Sequence, residues 1–263
     1  METLFAVVAT VFYALASIRL ITRLAHQDGP NMPVALMLAI VGVAFHLAYL
    51  VIAILQAPGQ NMSVTNVLSL VSWLISAAMV MSVRLLPTTV LMPVVFAFTA
   101  LTVLAAWLVP ASHIMHIELH PGLVVHIALS LFAYCVLVIA FLYALQMSFI
   151  THKLKQKGAS LLHSSLPPLM LVEQIVFKLL AVGTALLLVA QLSGFAFLDN
   201  MFSKTYAHKT VLSLMALAVF LLLLIGQRLW GWRGKQVIGL TVIGVVLLSL
   251  GYFGSRVVRE FLL

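Results

Sequence analysis

Three ionisable side chains fall inside long apolar stretches of this 263-residue sequence: His46, His126 and Lys178. An ionisable group in hydrocarbon is costly, so each is a candidate for function. His46 lies in the apolar run 33–55. A neutral imidazole there either bonds to a neighbouring helix or ligates a cofactor. His126 is followed by Ser130 and Tyr134, at i+4 and i+8. On a helix these three share one face, which either lines an outward-facing pocket or holds His126 at the headgroup level. Lys178 has Glu173 five residues before it, a poor spacing for an in-helix pair, and its long stem suits snorkelling to the interface. A second constellation reads His113-x-x-His116-Ile-Glu118-Leu-His120. On a helix positions 113, 116 and 120 share a face, and imidazoles with a carboxylate can bind zinc, copper or iron. The alternative is an interfacial amphipathic turn, and Pro121 interrupts the pattern. His208 opens a further apolar run beside Lys209.

The elements that must position these groups follow from composition. The chain is 64% hydrophobic and 8% charged, against roughly 45–50% and about 25% in soluble domains. This excludes a water-soluble globule and a disordered chain. The single Cys135 excludes a disulfide scaffold and a cysteine-based zinc site. About 20 apolar residues cross a bilayer as a helix. Eight segments qualify: 3–22, 33–55, 64–83, 88–109, 122–150, 171–198, 208–229 and 236–254. Unbroken runs such as Val211 to Ile225 lack the alternation of a transmembrane barrel. The expected fold class is therefore all-α, a polytopic membrane protein of eight transmembrane helices. No basic region precedes the first span, which reads as an anchor rather than a removable signal.

Basic residues in short loops set orientation. Arg19, Arg23, Arg84, Lys153, Lys155, Lys157, Arg228, Arg233 and Lys235 follow odd-numbered spans, nine of the 14 Lys and Arg residues. The odd connections are expected in the cytoplasm and both termini on the outer, periplasmic side. The net charge of +8 is then a topology signal, not a nucleic-acid footprint. By this topology His113, His116, His120, His126 and His208 fall on the outer side, where histidines can serve as axial ligands to haem iron. His26, His152 and His163 read as ordinary cytoplasmic loop residues. The chain reads as one membrane domain, 1–263. The Pro167–Pro168 linker suggests a sub-division into five helices (1–150) and three (171–263).

Several stretches resemble the cytochrome c assembly protein family, the haem-handling membrane proteins of the CcsA, CcmC, CcmF and ResC group. They are Leu166-Pro-Pro-Leu-Met-Leu171, Gly183 through Gly194-Phe-Ala-Phe197, Gly231-Trp-Arg-Gly234, His126-Ile-Ala-Leu129 with Tyr134-Cys135, and His46-Leu-Ala-Tyr49 followed by Asn61 to Trp73. Tyr252-Phe-Gly-Ser-Arg256 is similar to the small YpjD-type inner-membrane subgroup. The resemblance covers most of the chain in order. It implies a multi-pass protein of the bacterial inner membrane, with His126 at an external haem-ligand position and His46 at an intramembrane one. The family's tryptophan-rich external loop, WGxxWxWD, is replaced here by residues 201–210, which hold no tryptophan. A second external histidine does not follow the last span, and Gly226-Gln-Arg228 stands near the place of a second intramembrane histidine.

The resulting expectation is a haem-binding or haem-handling membrane protein related to cytochrome c biogenesis, with His126, His46 and His208 as cofactor-binding candidates and haem as cofactor. One alternative is a cofactor-free scaffold or regulatory partner of another membrane protein. Another is a small transporter using Lys178 and the His46/His126 line, although no paired broken helices or inverted repeat are evident. An enzyme is not expected, because the six acidic residues are scattered and no nucleophile–base pair shares a compartment. The bilayer is the expected environment, haem and a second membrane protein are the expected partners, and nucleic acid is not.

Overall fold

The computed structural model describes residues 1–23, 30–56, 59–109, 113–115, 121–155, 167–197 and 207–254. Among the described residues, α-helices fall in each apolar segment: α1 (Glu2–Arg23), α2 (Met32–Ile54), α3 (Val64–Ser82), α4 (Met92–Leu108), α5 (Pro121–Lys155), α6 (Leu169–Phe197), α7 (Ala207–Trp230) and α8 (Lys235–Ser249). A π-helical turn, Leu250–Gly254, continues α8. Among the described residues seven helices are long and apolar enough to cross a membrane, counting α8 with its π turn. The fold is an all-α polytopic membrane fold. Helix α4 has 17 residues, about 26 Å of rise, just short of a typical hydrocarbon core. It begins four residues later than the apolar run because the Thr88 carbonyl closes a turn onto the Leu91 and Met92 N–H groups. Pro93 then occupies the first helical turn, where its missing N–H costs nothing.

The chain forms two compact units, one built on α1–α4 and one on α5–α8. In the first, α1 packs along α2 and α4, and α3 lies between α2 and α4. Small residues allow close approach. Ala6, Ala9, Ala16 and Ser17 lie on the buried face of α1, and Ala35, Ala39 and Gly42 on that of α2. Polar side chains join α3 to its neighbours. Ser72 Oγ and Thr102 Oγ1 are 2.6 Å apart, and Ser76 Oγ and Thr99 Oγ1 2.7 Å. Trp73 Nε1 donates to the Val43 carbonyl at 2.9 Å. A small antiparallel sheet, not expected from sequence, closes one end: β1 (Leu55–Gln56), β2 (Gly59–Asn61) and β3 (Ile114–Met115), in that order. Gln60 is in register with Leu55 and Met115. Asn61 Oδ1 accepts the N–H groups of Ser63 (3.3 Å) and His113 (2.9 Å).

In the second unit α5 packs most extensively along α6, α7 pairs with α8, and α8 closes back on α5. The fifth helix thus groups with the last three, across the 151–170 segment at which the sequence suggested a sub-division. Glycines set the spacing. A Cβ at Gly183 would lie 2.7 Å from Leu137 Cγ, and one at Gly244 2.6 Å from the Phe220 ring. The α7–α8 corner turns on Gly231 (φ 65°) and Gly234 (φ 59°), a backbone region that disfavours residues with a Cβ. Outward faces stay apolar, with Met37, Leu101 and Val182 more than half exposed, as lipid contact requires. Helices α5 and α6, of 35 and 29 residues, rise about 52 and 44 Å and exceed the ~30 Å core.

Candidate haem-ligand site

His126 sits in the second turn of α5 and is half-buried. Its Nδ1 lies 2.9 Å from the Ala190 carbonyl of α6 and 3.3 Å from Ser193 Oγ. A carbonyl oxygen only accepts, so Nδ1 carries the proton and donates it. Ser193 Oγ donates to the same carbonyl at 2.8 Å. The neutral ring is thereby fixed in one tautomer, with the Nε2 lone pair left for another partner. Metal-ligating histidines are commonly held this way, through a carbonyl on the opposite nitrogen. Antiparallel packing brings these groups together: His126 meets Ala190 while Leu137, eleven residues on, meets Gly183. Gly122 lets the Phe197 ring approach α5 at the same end, where a Cβ would lie 2.6 Å from it.

The rest of the stripe turns inward. Ser130 is buried, and Tyr134 Oη lies 2.8 Å from Ser249 Oγ of α8. The Tyr134 ring stacks on Tyr252 (centroids 5.2 Å) and meets Phe253 edge-on (5.8 Å). The shared face expected from the spacing is real, and its lower part is packed against the π turn. His208 lies in the first turn of α7 and is exposed.

His46 belongs to the first unit and is 0% exposed. Its Nε2 is 2.8 Å from Ser69 Oγ of α3. Tyr13 meets the imidazole edge-on (5.8 Å), and Tyr49 lies at 6.5 Å. Among the described residues Nδ1 has no hydrogen-bond partner.

His113 enters β3, and its backbone carbonyl accepts the Met62 N–H at 2.8 Å. Because 114–115 is strand, the helical face that would align 113 with 116 and 120 does not exist at its start. His116 and His120 lie outside the described residues. Among the described residues no three His, Cys, Asp or Glu side chains cluster to hold a metal ion. Lys178 is exposed on α6, and Glu173 pairs instead with Arg233 of the α7–α8 corner at 3.6 Å.

Sequence reasoning passed over the partners. The polar stripe Asn66, Ser69, Ser72 and Ser76 recurs every three or four residues on α3 and is wholly buried. That helical period was visible in the sequence. The Ala190 carbonyl carries no sequence signal at all.

A family model described as cytochrome c assembly protein matches residues 31–263, and the chain belongs to that family. Inner membrane protein YpjD of Escherichia coli strain K12 is 36% identical over 260 residues, 98% of both chains. An uncharacterized 28.8 kDa protein of Azospirillum brasilense is 32% identical over 143 residues, 52% of each chain. No solved structure matches. The protein is a multi-pass inner-membrane protein of a family whose business is cytochrome c biogenesis.

Proposed function

We propose that this protein binds and hands on haem in cytochrome c biogenesis, without catalysing a bond-forming step itself. One observation carries the reading: the His126 Nδ1–H is committed to the Ala190 carbonyl, which leaves Nε2 as a free, oriented donor. The donor set fits haem iron, which accepts a neutral imidazole nitrogen as an axial ligand. His126 is the first ligand in this reading. His208, in the opening turn of α7, is the candidate for the second. Bound haem would supply an iron centre for delivery to a cytochrome. The chain's own part is to orient the imidazole through Ala190 and Ser193.

The reading includes eight spans with both termini outside. Support comes from the basic residues of the second unit. The Arg233–Glu173 pair ties the start of α6 to the α7–α8 corner, so Arg228, Arg233 and Lys235 share one end of that unit. Haem added to detergent-purified protein should give a Soret band, and His126→Ala should remove it. A band unchanged by that substitution, or none in the wild type, overturns the proposal.

A second reading, a cofactor-free scaffold for another membrane protein, is favoured by His46. Its ring is enclosed and bonded within the first unit, a packing role that needs no cofactor. Recovery of a stoichiometric membrane partner with haem-free protein, but not with haem-loaded protein, would select it.

A further inference from the structure

The α7–α8 corner is built more rigidly than a connection requires. Trp232 folds back on α7: its N–H donates to the Gly226 carbonyl at 3.3 Å, and a Cβ at Gly226 would lie 2.3 Å from the indole. Trp230 stacks on Trp232, with centroids 5.5 Å apart. Arg233 is anchored to Glu173 but stays 68% exposed. The fixed indole stands against one face of α8 and makes a groove of about 320 Å³, lined by Trp232, Lys235, Gln236, Gly239, Leu240 and Ile243. A Cβ at Gly239 would meet nothing within 4 Å, so this glycine is an open notch.

Depth identifies what fits. Helix α8 with its π turn spans 20 residues, Lys235–Gly254, about 30 Å of rise, the thickness of the hydrocarbon core. Lys235 therefore stands at the headgroup plane. Ile243, eight residues on, lies about 12 Å deeper among acyl chains. The mouth is cationic: Lys235 lines it, and the exposed Arg233 stands two residues before it at the same corner. The floor is apolar. A soluble anion would use only the mouth, and a neutral lipid only the floor.

We infer that this groove binds one anionic phospholipid, its phosphate at Lys235 and an acyl chain along Gly239 and Ile243 beneath the Trp232 indole. Basic residues at membrane faces attract anionic headgroups, and interfacial indoles settle at the same level. The inference does not depend on haem binding.

The test is tryptophan fluorescence of the detergent-solubilised protein, titrated with phosphatidylglycerol or phosphatidylcholine brominated on the acyl chains. Trp232→Phe identifies the Trp232 signal by difference. Phosphatidylglycerol should quench Trp232 at an about five-fold lower lipid concentration than phosphatidylcholine, the factor for one basic residue near an anionic lipid. Lys235→Gln should erase that difference, and Gly239→Leu should weaken quenching by both lipids. Equal quenching by the two lipids in the wild type leaves only a non-selective lipid annulus and overturns the inference. So does Lys235→Gln with the preference intact. Full protection by glycerol phosphate at matched concentration reduces the site to its mouth and rejects the acyl-chain groove.

Discussion

At the scale of single residues, the two intramembrane histidines have opposite surroundings although their sequence contexts look alike. His126 spends one nitrogen on the Ala190 carbonyl and keeps the other accessible. His46 spends one on Ser69, and its whole ring is enclosed. Substituting them should separate function from stability. His126→Ala should abolish haem absorbance while the melting temperature in detergent stays close to wild type. His46→Ala should lower the melting temperature, because it opens a cavity between Tyr13 and Tyr49 and leaves the Ser69 hydroxyl without its partner. An unchanged melting temperature for His46→Ala would reject its packing role. The Ser72–Thr102 bond is open to a double-mutant cycle with Ser72→Ala and Thr102→Val. A coupling of about 0.6 kcal/mol, and not above about 1.7 kcal/mol, is expected for such membrane hydrogen bonds. Equilibrium unfolding in mixed micelles measures it, and zero coupling would remove the bond from the account of α3–α4 packing.

At the scale of elements, hydropathy located the helices well. The apolar segments 64–83 and 171–198 became Val64–Ser82 and Leu169–Phe197. Such runs are legible because lipid leaves the backbone few alternatives to a helix. The strands β1–β3 were not legible. Each has two or three residues, too few for a period, and β3 joins β2 beside an Asn61–His113 bond that spans 52 positions. The π turn was hidden too, since its extra residue per turn leaves the apolar pattern intact. The helical face through 113, 116 and 120 does not hold at its start, because residues 114–115 form a strand. Helix contact predicts two contrasting glycine substitutions. Gly183→Leu should destabilise by about 1–3 kcal/mol, since it drives new atoms into Leu137. Gly239→Ala faces open space and should leave stability unchanged or slightly raised. Thermal unfolding of both variants in one detergent checks the pair. Equal losses would contradict the packing described for α5 and α6.

At the scale of the whole molecule, the distribution of charge predicts sidedness. The only native cysteine, Cys135, is buried, which permits clean labelling of introduced ones. A cysteine at Lys235 should react with a membrane-impermeant maleimide only after cells are opened, and one at His208 in intact cells. The reverse pattern would invert the proposed topology and move His126 away from the compartment where cytochromes c are matured.

Each unit is a closed circuit of helices, in which α4 returns to α1 and α8 returns to α5. That closure bears on how the protein is made. The chain emerges N-terminus first, so α1 and α2 can pair as soon as both have left the ribosome. The Ser17 hydroxyl of α1 nevertheless waits for the Pro93 carbonyl of α4, 76 residues of translation later. Until then a polar group faces lipid with no distant partner. The same delay recurs for Tyr134, whose hydroxyl partner on α8, Ser249, is 115 positions away. Nascent chains halted between α3 and α4, or between α7 and α8, are accordingly the stages at which a membrane-embedded chaperone or quality-control protease would find exposed polar surface to grasp.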